Sequence, residues 1–305
     1  MKTWMIGLLL WILPSAAFAA PLKVVATLPS LAALAAEVGG PLVQVEALSS
    51  PRQDPHYVDA RPSLILQLNR ADMLVQNGLE LEVGWLPPLL LQARNPKISQ
   101  GAPGFFDASQ FVHRLQVPAG AVSRRQGDIH PGGNPHFLFD PRAAASIAEA
   151  LGQRLAEVDA AHAETYRNNA AVLVKRLRAL AAEEAAKFAA LPAAKRRLCV
   201  YHESLVYVLD WLGLQEVATV EPRPGIPPDP QHVAAVLQTM RGGGVHVLAQ
   251  EEFYPQNTSK TLAELAKARL VVLQGGTRFS EGQHYADHAR ALADTLFAAF
   301  SQAAP

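Results

Sequence analysis

The chain has 305 residues, and its 27 Lys and Arg are balanced by 27 Asp and Glu, which removes the electrostatic case for nucleic-acid binding. Half of the residues are hydrophobic and only one is cysteine, so stability must come from packing and no internal disulfide can form. The length suits two domains.

The chain opens on a secretion pattern. Lys2 precedes a short apolar run over residues 5–13, and Ala17-Phe18-Ala19 is a small-residue cleavage site. The run is too short for a membrane span, which needs about 20 residues. Cleavage after Ala19 is expected to release a periplasmic chain without stable membrane insertion. No cysteine sits at the cut to carry a lipid.

Residues 22–27 (LKVVAT) read as a strand. Ser30 stands where it would cap a helix over 31–38, which Gly39-Gly40 stops. Residues 43–48 read as a second strand, and strand–helix–strand predicts a parallel α/β unit. A short helix over 62–68, a strand over 73–76, a turn at Asn77-Gly78 and a helix over 85–93 follow. Residues 117–134 lack periodicity and are expected to be a loop. Stretches 142–155 and 160–191 are rich in Ala, Leu, Glu and Arg, and Val172, Leu173, Leu177, Leu180 and Phe188 recur at helical spacing. A helix of that length spans roughly 45 Å. The α/β rhythm then returns, with strands over 197–201, 245–249 and 270–273. Helices are expected over 204–212, 231–240, 260–268 and 285–300. The expected fold class is α/β: two lobes with parallel-rich sheets flanked by helices, joined by one long rigid helix. The divisions are an N-terminal α/β lobe at 20–140, a helical segment at 141–191 that includes the linking helix, and a C-terminal α/β lobe at 192–305. No internal sequence repeat is evident.

Three of the ten histidines sit in notable places, each at a strand end or loop: His56 in QDPHYVD, His136 in GNPHFLFDP and His202 in VYHES. Ligands of open α/β sheets gather beyond the carboxyl ends of strands, so His56 and His202 face a binding edge, one from each lobe. Proline in DPH and NPH restricts Asp54 and Asn134 to extended backbone and stiffens the approach to each histidine. Neutral imidazole is the commonest metal ligand, and three suit zinc. The spacing carries no local signature such as H-E-x-x-H, and each histidine alone reads as a surface or hydrogen-bonded residue.

The combination resembles the solute-binding proteins of zinc and manganese ABC transporters, the zinc-uptake type in particular. The resemblance runs through VVATLPSLAALAAEVGG, QDPHYVDARPSLILQLNRADMLVQNGLELE, GNPHFLFDP and VYHESLVYVLDWLGL to HYADHARALADTLFAAF. It implies two lobes bridged by a long helix, a metal in the cleft on His56, His136 and His202, and delivery of that metal to a membrane permease. The cargo it implies is Zn2+ ahead of Mn2+. Many members place an acidic fourth ligand after a late strand, where this chain has Gln274. Glu251, after the strand expected at 245–249, is the first choice for that position. Glu252, Glu221 or water are the alternatives, and a Glu in such a place is ordinarily a solvated loop carboxylate. Asp128 and His130 are what this chain has in place of the long acidic, His-rich loop of many members; His130 would join the site, pass metal to it, or have no role. His113, His162, His232, His246, His284 and His288 are expected at the surface or in packing. A monomer is expected. The rival function is a zinc-dependent hydrolase, with water activated at a three-His site and Glu251 or Glu203 as base. No nucleophile elbow or phosphate-binding glycine loop supports an enzyme.

Overall fold

The computed structural model describes residues 20–120, 122 and 127–302. The signal expected at residues 1–19 lies outside them. In chain order the strands and α-helices are β1 (Leu22–Ala26), α1 (Pro29–Gly39), β2 (Val43–Ala47), α2 (Pro62–Arg70), β3 (Met73–Gln76), α3 (Leu86–Ala93) and β4 (Phe105–Asp107). The helices α4 (Pro141–Val158) and α5 (Ala163–Ala189) follow. Then come β5 (Arg197–Val200), α6 (Val206–Leu212), β6 (Gln215–Thr219), α7 (Pro230–Gly242), β7 (Val247–Glu251), α8 (Asn257–Ala266), β8 (Arg269–Leu273) and α9 (Tyr285–Gln302). No helix among the described residues is long and apolar enough to cross a membrane.

The strands form two four-stranded sheets, ordered β2-β1-β3-β4 and β6-β5-β7-β8, with every pairing parallel. The two halves thus repeat one topology, although no sequence repeat announces it. Parallel strands are covered on both faces, which is why Val24, Val25 and Ala26 of β1 are all buried in succession. In each sheet the chain leaves the first strand for one neighbour and later returns to the other side of it. This reversal makes a crevice at the carboxyl ends, between β1 and β3 and between β5 and β7.

The long helix is α5. Its apolar side chains recur every three or four residues. Tyr166, Ala170, Leu173, Val174, Leu177 and Leu180 join the core of the first sheet, while Ala181 and Phe188 join that of the second. One helix of 27 residues, about 40 Å, therefore ties both halves together. Glu184 on α5 is fully buried and is held by Lys187 Nζ at 2.8 Å and Arg290 Nη1 of α9 at 3.0 Å.

Several expectations are corrected. Residues 160–162 form a separate 3-10 turn before α5, with His162 Nδ1 2.7 Å from Asp159 Oδ2. Ser30 does not cap α1, which begins at Pro29; its hydroxyl instead meets Thr277 Oγ1 at 3.1 Å and accepts from Thr277 N at 3.2 Å, joining the two halves. The edge strands β4 and β6 are additional, being short and polar respectively. The strand expected at 245–249 is β7, two residues later, and it carries Glu251 on its last position. Gly244, at φ 59°, turns the chain before Val245, so pairing begins only at Val247.

Candidate metal centre

Each of the three histidines is set by a local device. In Asp54-Pro55-His56 the Asp54 carboxylate accepts the His56 backbone N–H at 3.0 Å, and in Asn134-Pro135-His136 the side-chain Oδ1 of Asn134 accepts that of His136, also at 3.0 Å. Both are Asx turns, in which a short polar side chain mimics the backbone, and the intervening proline stiffens them. Asn134 is fixed in turn: its Nδ2 donates to Glu203 O at 2.7 Å and its own carbonyl accepts from Tyr207 Oη at 2.8 Å. His202 needs no turn, since it follows β5 directly.

These devices bring the three imidazoles to one point. A donor atom from each of His56, His136 and His202 lies within 4.8 Å of the others. Ring centroids are 5.2–5.8 Å apart, and the residues are only 4–8% exposed. His56 Nδ1 lies 2.7 Å from Asp54 Oδ1, and His202 Nδ1 lies 2.7 Å from Glu221 Oε2. With Nδ1–H given to a carboxylate, each ring keeps a lone pair on Nε2 for an ion, an assignment made from the hydrogen-bond partners.

The electrostatics separate the histidines. Burial, and then the charges of neighbouring histidines, push the His136 pKa well below its ordinary value, so this ring stays neutral. Burial alone would also depress His202, but the hydrogen bond and charge of Glu221, aided by Glu251 and Asp54, lift it above the usual histidine value. Burial, and then the charge of His56, push His130 down to about 4.

Glu251 is not the solvated loop carboxylate that its type predicts. It is 1% exposed, neither oxygen has a hydrogen-bond partner of good geometry, and burial raises its pKa, with the nearby Ser204 hydroxyl and the charge of His202 drawing it back only in part. Its oxygens nevertheless stand outside the tight three-histidine set. The alternatives are engaged elsewhere. Glu252 binds Arg278 and accepts Gly275 N at 3.2 Å, and Glu221 orients His202 and accepts Gly225 N at 2.9 Å. Gln274 faces Gln283 at 3.3 Å.

Sequence reasoning missed Asp54 and Glu221 as orienting carboxylates. Asp54 was visible as the Asx of an Asx-Pro-His turn, whereas Glu221 lies 19 residues from His202 and carried no local signal. It also missed Glu82. This buried carboxylate accepts Thr27 Oγ1 at 2.7 Å, Asn77 N at 2.7 Å and Gly78 N at 3.1 Å, at the crevice between β1 and β3. The turn it holds has φ 88° at Gly78, 53° at Leu79 and 62° at Glu80, and two such non-glycine residues cost of order 1–3 kcal/mol each. Asn77 Nδ2 donates from this turn to Pro135 O at 3.0 Å, directly before His136.

Two solvent clefts of ≈490 and ≈410 Å³ open onto the cluster, the first lined by His56 and the second by His136 and His202; Asp128 and His130 line both. Of the histidines expected in packing, His288 is buried with neither ring nitrogen hydrogen-bonded.

The comparisons agree with this architecture. The family model described as zinc-uptake complex component A, periplasmic, matches residues 24–299. The iron-binding protein YfeA of Yersinia pestis is 26% identical over 244 residues, covering 79% of this chain and 73% of that protein. The manganese ABC transporter substrate-binding lipoprotein PsaA of Streptococcus pneumoniae is 22% identical over 246 residues, covering 80% and 76%. Among solved structures, a crystal structure of ZnuA superposes with a TM-score of 0.76 at 21% identity, covering 92% of this chain and 99% of that one. The nickel complex of the binding protein FpvC from P. aeruginosa gives 0.73 at 24% identity, covering 93% and 98%. A match that spans both sheets, the bridging helix and all three histidines places this chain in the zinc-uptake complex component A family of metal ABC transporter substrate-binding proteins.

Proposed function

We propose that the protein captures one zinc ion in the periplasm, after cleavage behind Ala19, and delivers it as a monomer to the membrane permease of an ABC transporter. His56, His136 and His202 are the ligands. Glu251, buried and within reach of the charge of His202, is the carboxylate of the site, available to the ion as a further donor. The observation that carries this reading is the convergence of three buried imidazole nitrogens, two of them with Nδ1 committed to a carboxylate. The relatives carry names for iron, manganese, zinc and nickel, so the metal is argued from the donors. Imidazole suits zinc, whereas manganese favours oxygen ligands. Competition between zinc and manganese in a metal titration tests the choice: zinc is expected to displace manganese, and tighter manganese binding overturns it. Metal-dependent turnover of ester or peptide substrates would replace capture with the hydrolytic reading.

A further inference from the structure

His130 stands on the loop between β4 and α4, and its Nε2 lies 3.3 Å from Nε2 of His56, the two rings stacked with centroids 5.4 Å apart. Because Asp54 takes Nδ1–H of His56, the nitrogen that His130 meets is the lone pair intended for the ion. Without an ion the two nitrogens form a long hydrogen bond whose direction depends on the ring tautomers. Two nitrogens that share a tetrahedral zinc at about 2.0–2.1 Å stand about 3.3–3.4 Å apart, along one edge of the tetrahedron. The His56–His130 separation is that edge.

We propose that His130 is a further ligand of the ion, a fourth imidazole that closes the solvent side of the three-histidine site. The proposal rests on the three-histidine reading given above. Its nitrogen lies outside the tight set in this structure, so the ring must advance toward His136 and His202 as the ion enters. The loop is tethered to do this. Asp128 accepts Tyr57 Oη at 2.9 Å from the first half, and its backbone N donates to Pro224 O of the second half at 2.8 Å. These two bonds hold His130 across the mouth, where it lines both clefts together with the other ligands. Glu251 lines neither of these clefts.

The test is zinc X-ray absorption on the zinc-loaded full chain, together with zinc affinity measured against a chromophoric chelator, for wild type, His130→Ala, His130→Gln and His136→Ala. The wild type is expected to scatter as four imidazoles and both His130 variants as three. Their affinity should fall by more than the roughly 10- to 100-fold typical of losing an orienting partner. Melting of the metal-free His130→Ala protein should match wild type. Unchanged affinity, or a weaker site that keeps the wild-type imidazole count, overturns the proposal. If His130→Ala binds as wild type while His136→Ala does not, His130 is excluded and the three-histidine reading stands. A wild type that takes up no zinc overturns both.

Discussion

The Nδ1 of His202 lies 2.7 Å from Oε2 of Glu221, both residues are buried, and the same carboxylate accepts the backbone N–H of Gly225. Glu221 thereby fixes both the tautomer and the angle of the His202 ring. Glu221→Gln keeps the shape but loses the charge, and is expected to weaken zinc binding by about 10- to 100-fold. Chelator competition measures this; an unchanged affinity would show that Glu221 does not orient the ligand.

The same pair sets the pH dependence. A ligating histidine must be neutral, so protons compete with metal. The folded pKa of His202 is raised, so His202 is protonated below that raised value and competition begins above the ordinary histidine value of about 6.5. His136 remains neutral there and does not compete. Zinc affinity is therefore expected to fall as pH drops through the upper histidine range, and Glu221→Gln should move the onset to lower pH. An affinity flat from about pH 8 to 5 contradicts a histidine-dominated site.

Glu82 is expected to act on stability and on the site together. Glu82→Ala strips the acceptor from Thr27 Oγ1, Asn77 N and Gly78 N, and each buried unsatisfied donor costs about 1–3 kcal/mol. Urea unfolding should show a loss of at least about 2 kcal/mol. Zinc affinity of the folded fraction should fall as well, because the Asn77–Pro135 hydrogen bond no longer holds His136 in register. Loss of stability with full affinity would separate Glu82 from the site.

His288 offers a stabilising change. It sits in the core beside Phe139 with both ring nitrogens unpartnered, and burial, then Arg278, push its pKa to about 4. The unfolded chain binds its proton near 6.5, so stability from the neutral ring is present above that value and is lost as pH falls toward about 4, by about 3 kcal/mol. His288→Phe is expected to raise Tm at pH 7 and to reduce the loss of stability on acidification. Parallel stability curves for variant and wild type would contradict this.

The bridging helix was legible because a face repeated every three or four residues over a glycine-free stretch can only bury as a helix. The strand–helix–strand order from β1 to β2 likewise announced parallel strands. The edge strands were not legible: β4 is three residues long, and β6 (Gln215–Thr219) is polar enough to pass for a loop. The position of β7 was misread by two residues because Val245 is buried without being paired. That shift decides the site, since it turns Glu251 from a loop residue into the buried end of a strand. The histidines that converge were legible from their strand-end placement and the family resemblance. The partners Glu221 and Glu82 were not, because only the folded chain brings them to the residues they orient.

The central claim is that His56, His136 and His202 hold the ion. The most direct measurement is zinc stoichiometry and affinity by titration of metal-free wild type beside the three single alanine variants, with manganese as competitor. One zinc per chain is predicted, bound in preference to manganese and lost or severely weakened in each variant, together with a zinc-dependent rise in Tm that the variants lack. Wild-type zinc affinity in any of the three variants would contradict the account.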